Sequence, residues 1–302
     1  MIQFFKDSNY NFVGHRWQAL SVSAVVILAG LVMMLVRGPN WSIDFRGGLD
    51  MQIRFAQTVT DGEVRAALSG IEVGEVKTIS SLGEQDDMLI RLKETDDVTA
   101  LQTMIGERLT AAFPGNTWEI RGVEVVGPKV GKELRKQAMI SGVVALVLLL
   151  IYISWRFEFA YAVGAIVALL HDVMVTWAFF MFFGYEISLS VLAAFLTLIG
   201  FSLNDTVVVF DRIRENLKKL RQMTLSDIMN QSVNETLSRT IITSLTVFLT
   251  ILVLFIFGGP VLKGFSFAML VGIVTGTYSS IFIAAPVVLE WAQRRALEGK
   301  KK

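Results

Sequence analysis

Four ionisable residues stand inside or at the edge of apolar runs: His171 and Asp172 in one, Asp205 in another, and Arg239 at the head of a third. A charged Asp near the middle of a membrane-crossing helix costs about 2.5–3.5 kcal/mol on insertion scales. Such a group is retained when it is paired, protonated or functional. Asp205 lies shortly before its apolar run ends at Phe210, and Arg239 enters the next run from the same side, so Arg239 is the natural counter-charge. A carboxylate that exchanges a proton for an arginine partner has two states of different charge, the minimum needed to couple proton flow to a change of shape. A unit charge crossing 100 mV is worth about 2.3 kcal/mol, which shifts a two-state equilibrium more than roughly tenfold. The same two residues also suit a fixed pair that only joins two helices. Asn204 suits an interhelical hydrogen bond, and His171-Asp172 suits either a secondary relay or a buried packing pair.

Other chemistry is poorly supported. No Ser stands in a G-x-S-x-G elbow and no HExxH is present, so the chain reads as a non-enzyme without catalytic residues. GPKVGKE at 127–133 has three residues between its glycines where a phosphate loop has four, and Glu133 replaces the Ser/Thr. The absence of cysteine removes disulfides, thiolate metal sites and a cysteine nucleophile. With His15 and His171 as the only histidines, no metal site is expected, and no cofactor. A net charge of +1 gives no case for a nucleic-acid partner. Any energy source must be the membrane gradient or a partner protein.

The elements that hold these groups are read from composition. The 302 residues are 53% hydrophobic and 18% charged, and the excess of apolar residues is gathered in long runs. Six runs are long enough, or nearly so, to cross a bilayer: 17–36, 138–155, 159–183, 187–210, 240–257 and 265–291. The first is too long in its apolar core for a signal peptide and lacks a small-x-small cleavage site before Arg37. Lys and Arg in the short loops place both termini in the cytoplasm, since the loops at 184–186 and 258–264 carry only Lys263. The expected organisation is a cytoplasmic N-terminus (1–16), a first span (17–36), an external domain (37–137), five further spans (138–291) with an amphipathic cytoplasmic connector (211–239), and a basic tail (292–302). RIRENLKKLR at 212–221 reads as a solvated, positively flanked loop, with binding to anionic lipid headgroups as the alternative.

The external segment alternates Leu49, Met51, Ile53 and Phe55 with polar residues, as a half-buried strand does. Thr60 and Glu63 fit a capping box opening a helix through Leu68. Strands are expected at 75–80, 88–92 and 118–126, with LGEQDD as a turn, and a helix at 97–113 with Val98, Leu101, Ile105, Leu109 and Ala112 on one face. The β-α-β-β-α-β order predicts a small ferredoxin-like α+β unit. Within the membrane, small or polar residues recur at helical spacing: Gly164, Ala168, Asp172 and Thr176; Ala193, Thr197, Gly200 and Asn204; Arg239, Thr243, Thr246 and Thr250; Ala268, Gly272, Gly276, Ser280 and Ala284. Such stripes let helices approach closely and predict a tight six-helix bundle with the polar stripes turned away from lipid.

Several motifs together resemble the SecF family of protein-export membrane subunits: IDFRGG (43–48), VVGPKVGKEL (125–134), His171-Asp172, GFSLNDTVVVFDRIREN (200–216), LSRTIITS (237–244) and FGGPVLKGFS (257–266). They occur in the family's order and cover nearly the whole chain. Many relatives carry Thr where Arg46 stands; Asp44, Gly47, Gly48, Gly127 and Pro128 keep the motif positions. The resemblance implies one six-helix half of a transporter of the resistance-nodulation-division type, with SecD supplying the other half. It implies that the pair uses the proton-motive force at the bacterial inner membrane to draw preproteins through SecYEG after the ATP-driven SecA step, with YidC/YajC-type accessory proteins as further partners. It also implies that Asp205 and Arg239 conduct protons. A proton-coupled exporter of small molecules or lipids, and a non-conducting scaffold, are the competing readings.

Overall fold

A computed structural model describes residues 8–79, 87–93 and 97–299. The long helices are α1 (Arg16–Arg37), α5 (Pro128–Arg156), α6 (Phe159–Phe183), α7 (Leu189–Lys219), α8 (Leu225–Phe257), α9 (Gly259–Ser279) and α10 (Ala285–Gly299), the last two joined by a π-helical turn, Ser280–Ala284. Because that turn does not break the chain's course, α9 and α10 form one span, and six helices are long and apolar enough to cross a bilayer. The chain is a multi-pass membrane protein. Its second span begins ten residues before the expected start, because Gly127 and Pro128 open the helix ahead of the apolar run. The expected connector at 211–239 is mostly helix: α7 runs on to Lys219 and α8 starts at Leu225, leaving a short turn between them.

The inter-span segment holds the short helix α2 (Ile43–Arg46), then β1 (Gly48–Phe55), α3 (Asp61–Ala67), β2 (Val73–Ile79), β3 (Asp87–Leu92), α4 (Val98–Ala112) and β4 (Trp118–Val126). The sheet order is β2-β3-β1-β4 with every pair antiparallel, the ferredoxin-like arrangement expected. Leu49, Met51, Ile53 and Phe55 are all buried, with Ile105 and Leu109 of α4 in the same core. Thr60 accepts from the Glu63 amide while the Glu63 carboxylate accepts from the Thr60 amide, so the capping box forms. Hydrogen bonds from the Thr60 backbone and side chain hold the Glu63 carboxyl below its ordinary range. The turn expected at LGEQDD lies outside the described residues, save Asp87.

The bundle is organised around α9. Ala268, Gly272, Gly276, Ser280 and Ala284 are all buried, as the stripe predicts. A Cβ on Gly272 would meet Leu198 at 2.4 Å, and one on Gly276 would meet Ser202 at 3.1 Å, so these glycines set how closely α9 approaches α7. Gly164, Ala168, Asp172 and Thr176 of α6 are likewise buried. The other two stripes are exposed: Ala193, Thr197, Gly200 and Asn204 on α7, and Arg239, Thr243, Thr246 and Thr250 on α8. They do not pack within this chain, contrary to expectation. On α7 they lie away from Leu198 and Ser202, the residues that meet α9.

Close packing of α1 rests on Gly30, where a Cβ would stand 2.3 Å from the Ala178 Cβ of α6. Gly30→Val is expected to push α1 off α6 and destabilise the bundle by about 1–3 kcal/mol, an overpacking cost. Gly142→Val is expected to be neutral, since nothing lies within 4 Å of a Cβ there. Thermal unfolding of the two variants in detergent micelles checks this.

Candidate functional site

Asp205 is 2% exposed, held between α7, α8 and α9. Its Oδ2 accepts a hydrogen bond from Ser244 Oγ of α8 at 3.0 Å, and Ser244 Oγ lies 2.7 Å from Thr277 Oγ1 of α9, whose hydroxyl also faces the Ile273 carbonyl at 2.9 Å. Among the described residues no ion pair joins Asp205 to Arg239, so the expected direct counter-charge contact is not formed. The reason is helical geometry. Arg239 precedes Ser244 by five residues, so with Ser244 turned to Asp205, Arg239 lies roughly 140° around α8, at 3.6 residues per turn. Its side chain is exposed on the outer stripe, together with Asn204 from α7.

His171 and Asp172 form a separate network in the same bundle. Asp172 is fully buried, and its Oδ2 accepts from Ser202 Oγ of α7 at 2.6 Å and Ser279 Oγ of α9 at 2.8 Å. Asp172 Oδ1 lies 2.9 Å from His171 Nδ1, and His171 Nε2 lies 2.9 Å from Ser23 Oγ of α1. Ser23 Oγ donates to Tyr278 Oη at 3.2 Å, and Tyr278 Oη donates to the Ala19 carbonyl at 2.7 Å. The direction of this chain is set by its end. A carbonyl only accepts, so the tyrosine proton is committed to Ala19, the serine proton to Tyr278, and Nε2 must carry the proton donated to Ser23.

The two carboxylates therefore differ in satisfaction. Asp172 has three neighbours directed at it, whereas Ser244 is the one donor that the described residues give Asp205. Two buried hydroxyls nearby, Thr176 one turn from Asp172 and Thr240 one turn from Ser244, have no partner among the described residues. The sequence reading missed Ser23, Ser202, Ser244, Thr277, Tyr278 and Ser279. Single hydroxyls in an apolar helix show no period, and their meeting depends on α9 lying between α6, α7 and α8.

Comparison with known proteins decides the family. The profile described as "Protein export membrane protein SecD/SecF, C-terminal" matches residues 107–294, and the "SecD/SecF GG Motif" profile matches 32–59. The chain belongs to the SecF family. It is 43% identical to protein translocase subunit SecF of Rhodothermus marinus, over 98% of this chain and 97% of that protein. It is also 43% identical to SecF of Calditerrivibrio nitroreducens, over 95% and 97%. The crystal structure of SecDF from Thermus thermophilus, described as translocon-associated, superimposes with a TM-score of 0.86 at 34% identity. SecDF in its super-membrane-facing form superimposes at 0.74 and 35%. The chain spans about two fifths of those SecDF chains, 40% and 41%.

The GG-motif match contains Asp44, Gly47 and Gly48. Gly47 and Gly48 have φ of 79° and 139°, a backbone that side chains rarely adopt, and they turn the chain from α2 into β1. Gly127 is the N-cap of α5 and Pro128 its first residue. Asp44 lies at the end of the bundle where α7 begins, accepting from Leu189 N at 2.8 Å, far along that helix from Asp205.

In a His15→Gln background His171 is the only histidine, so its ring nitrogens give isolated ¹⁵N resonances in membranes. Nε2 is expected protonated, with a strong hydrogen bond at Nδ1. Tyr278→Phe, which removes the group that orients Ser23, is expected to lower the Nε2–H population. An unprotonated Nε2 in the otherwise unaltered chain contradicts the chain of donors.

Proposed function

We propose that this chain is the SecF half of a proton-driven accessory to protein export. It pairs with a SecD half in the bacterial inner membrane, with both termini cytoplasmic and the ferredoxin-like domain periplasmic. The carrying observation is Asp205: a buried carboxylate in a spanning helix, given one hydroxyl donor by its own chain. An ion so placed costs several kcal/mol unless it is paired. Asp205 has two ways to avoid that cost, taking up a proton or meeting a cation. Arg239 is the cation on the neighbouring helix, and on its exposed stripe it has room to move when a partner packs there. Alternation between the two states is the relay. His171-Asp172 and Asn204 are the secondary positions, one a buried hydrogen-bonded pair and the other a contact on the outer stripe.

The exposed stripes on α7 and α8 support the pairing. Small and hydroxyl residues facing lipid gain little there, but they let a second bundle approach closely. In this reading SecD covers them, and SecYEG, SecA, YidC/YajC-type proteins and the preprotein are met through the assembled pair. The basic residues of the short loops support the sidedness: Arg156, Lys218, Lys219 and Arg221 lie between spans or at their ends on one side, whereas the short loops at 184–186 and 258–264 on the other carry only Lys263.

Asp205→Asn keeps the shape and removes the exchangeable proton. It is expected to retain association with the SecD half and to lose gradient-stimulated preprotein import into inverted membrane vesicles by about tenfold or more, the effect of losing the roughly 2.3 kcal/mol coupled per charge and 100 mV. Retained stimulation would sink the relay and leave a scaffold. An intact proton flux without any effect on import would favour an exporter of another cargo.

A further inference from the structure

The two motifs with no part in the relay, IDFRGG and VVGPKVGKEL, meet each other and the helix that carries Asp205. They are the two connectors between membrane and domain: one leads from α1 into β1, the other from β4 into α5, and β1 and β4 start and finish side by side, with Gly48 opposite Val126. Gly131, in the first turn of α5, lies flat on the first connector. A Cβ there would meet Asp44 O, Phe45 C and Gly47 N, each at 3.2 Å. The first connector is also tied to the outer end of α7. Ser42 N donates to the Ile187 carbonyl at 3.0 Å, and Ile187 N donates to the Asn40 carbonyl at 2.8 Å, a short parallel bridge between Trp41 and Ile187. Asp44 Oδ2 accepts from Leu189 N, the first residue of α7, at 2.8 Å, and from Ser42 Oγ at 3.1 Å. Trp41 is packed edge-on against Phe45 and Trp177, with the Arg135 guanidinium 4.9 Å over its ring.

The folded domain adds its own tie. Arg91 of β3 bonds Asp50 of β1 at 2.8 Å and Glu186 of the α6–α7 loop at 2.9 Å. Burial works against the Arg91 charge, but the hydrogen bonds to Asp50 and Glu186 outweigh it and raise its pKa further above the ordinary arginine value. So the domain, both connectors and the N-terminal end of α7 are joined by a backbone bridge, a carboxylate bonded to the first amide of α7, a half-buried ion triad and a glycine contact.

We propose that this is a rigid joint: the external domain travels with the outer end of α7 as one body, and Asp44 is a positioning residue that fastens the family's GG-motif segment to that helix. A shift of α7 when Asp205 changes state is then delivered to the domain without loss. The proposal rests on the gradient-driven reading above.

The chain has no cysteine, so the pair Trp41→Cys with Ile187→Cys supplies the only thiols, at the bridged positions. Gradient-stimulated import is measured in inverted vesicles carrying the assembled pair, oxidised and then reduced. A rigid joint predicts equal stimulation in both states. Asp44→Ala removes the acceptor of the Leu189 amide, leaving the Ser188 N-cap in place, and is expected to lower stimulation about fivefold, the equilibrium equivalent of one lost hydrogen bond. Oxidation of the cysteine pair in the Asp44→Ala chain is expected to restore it to within about twofold of the oxidised pair alone, because the disulfide replaces the fastening. Asp44→Asn, which keeps an acceptor, is expected to stay within about twofold of the unaltered chain, and it carries the test if the alanine variant does not assemble.

Loss of stimulation on oxidation, recovered on reduction, would mean the joint must open and would overturn the proposal. So would failure of the disulfide to rescue Asp44→Ala, or a loss in Asp44→Asn as large as in Asp44→Ala, since either makes Asp44 something other than a fastener. Failure of the gradient-driven reading itself looks different: import by the unaltered chain would then be insensitive to the gradient.

Discussion

Inside a hydrocarbon slab a polar side chain has only the protein to bond to. The bundle meets this constraint by gathering its buried polar groups around α9, which supplies Thr277 to Ser244, Ser279 to Asp172 and Tyr278 to Ser23. Two carboxylates share that helix but end in different states. Asp172 is enclosed by two serines and a histidine, in a chain whose donors run in one direction to a carbonyl. Asp205 is left with a single hydroxyl. A fully bonded group resists change; a group with one bond is free to change partner. On the proposed function, the difference in satisfaction, rather than depth alone, marks Asp205 and not Asp172 as the exchanging carboxylate.

The small residues that permit this arrangement divide into two sets. Those of α6 and α9 are used up inside the chain: Gly164 against Val288 and Ala284, Gly272 against Leu198, Gly276 against Ser202. Those of α7 and α8 are not. A chain with half of its close-packing faces uncovered is built for assembly, and the uncovered half lies beside the under-bonded carboxylate. At the end of the bundle that carries the domain the logic reverses. There the domain is fastened at several points, and glycines serve backbone contact instead of helix contact, as Gly131 does on the Asp44–Gly47 segment.

The domain was legible because its signals are local: a period of two in β1, a capping box at Thr60 and Glu63, and turns bounding each element. The spans were legible from length and composition, except where α5 starts early. The stripes were legible as stripes, but not which ones pack internally, because period says that a face is special without saying what covers it. The pairing of Asp205 with Arg239 was inferred from similar depth along two helices. Depth alone is silent on angle, and angle around α8 places Ser244 and not Arg239 against the carboxylate. The hydroxyl partners were illegible for a related reason: each contact joins helices distant in sequence, such as Ser23 of α1 with His171 of α6.

The central claim is that Asp205 itself gains and loses a proton as the gradient is applied. Infrared difference spectroscopy on vesicles holding the assembled pair reads this directly, through the carbonyl stretch of a protonated carboxyl. The account predicts a band that changes with the imposed proton gradient and vanishes in Asp205→Asn. A band that persists in that variant, or a spectrum unchanged by the gradient, would contradict it.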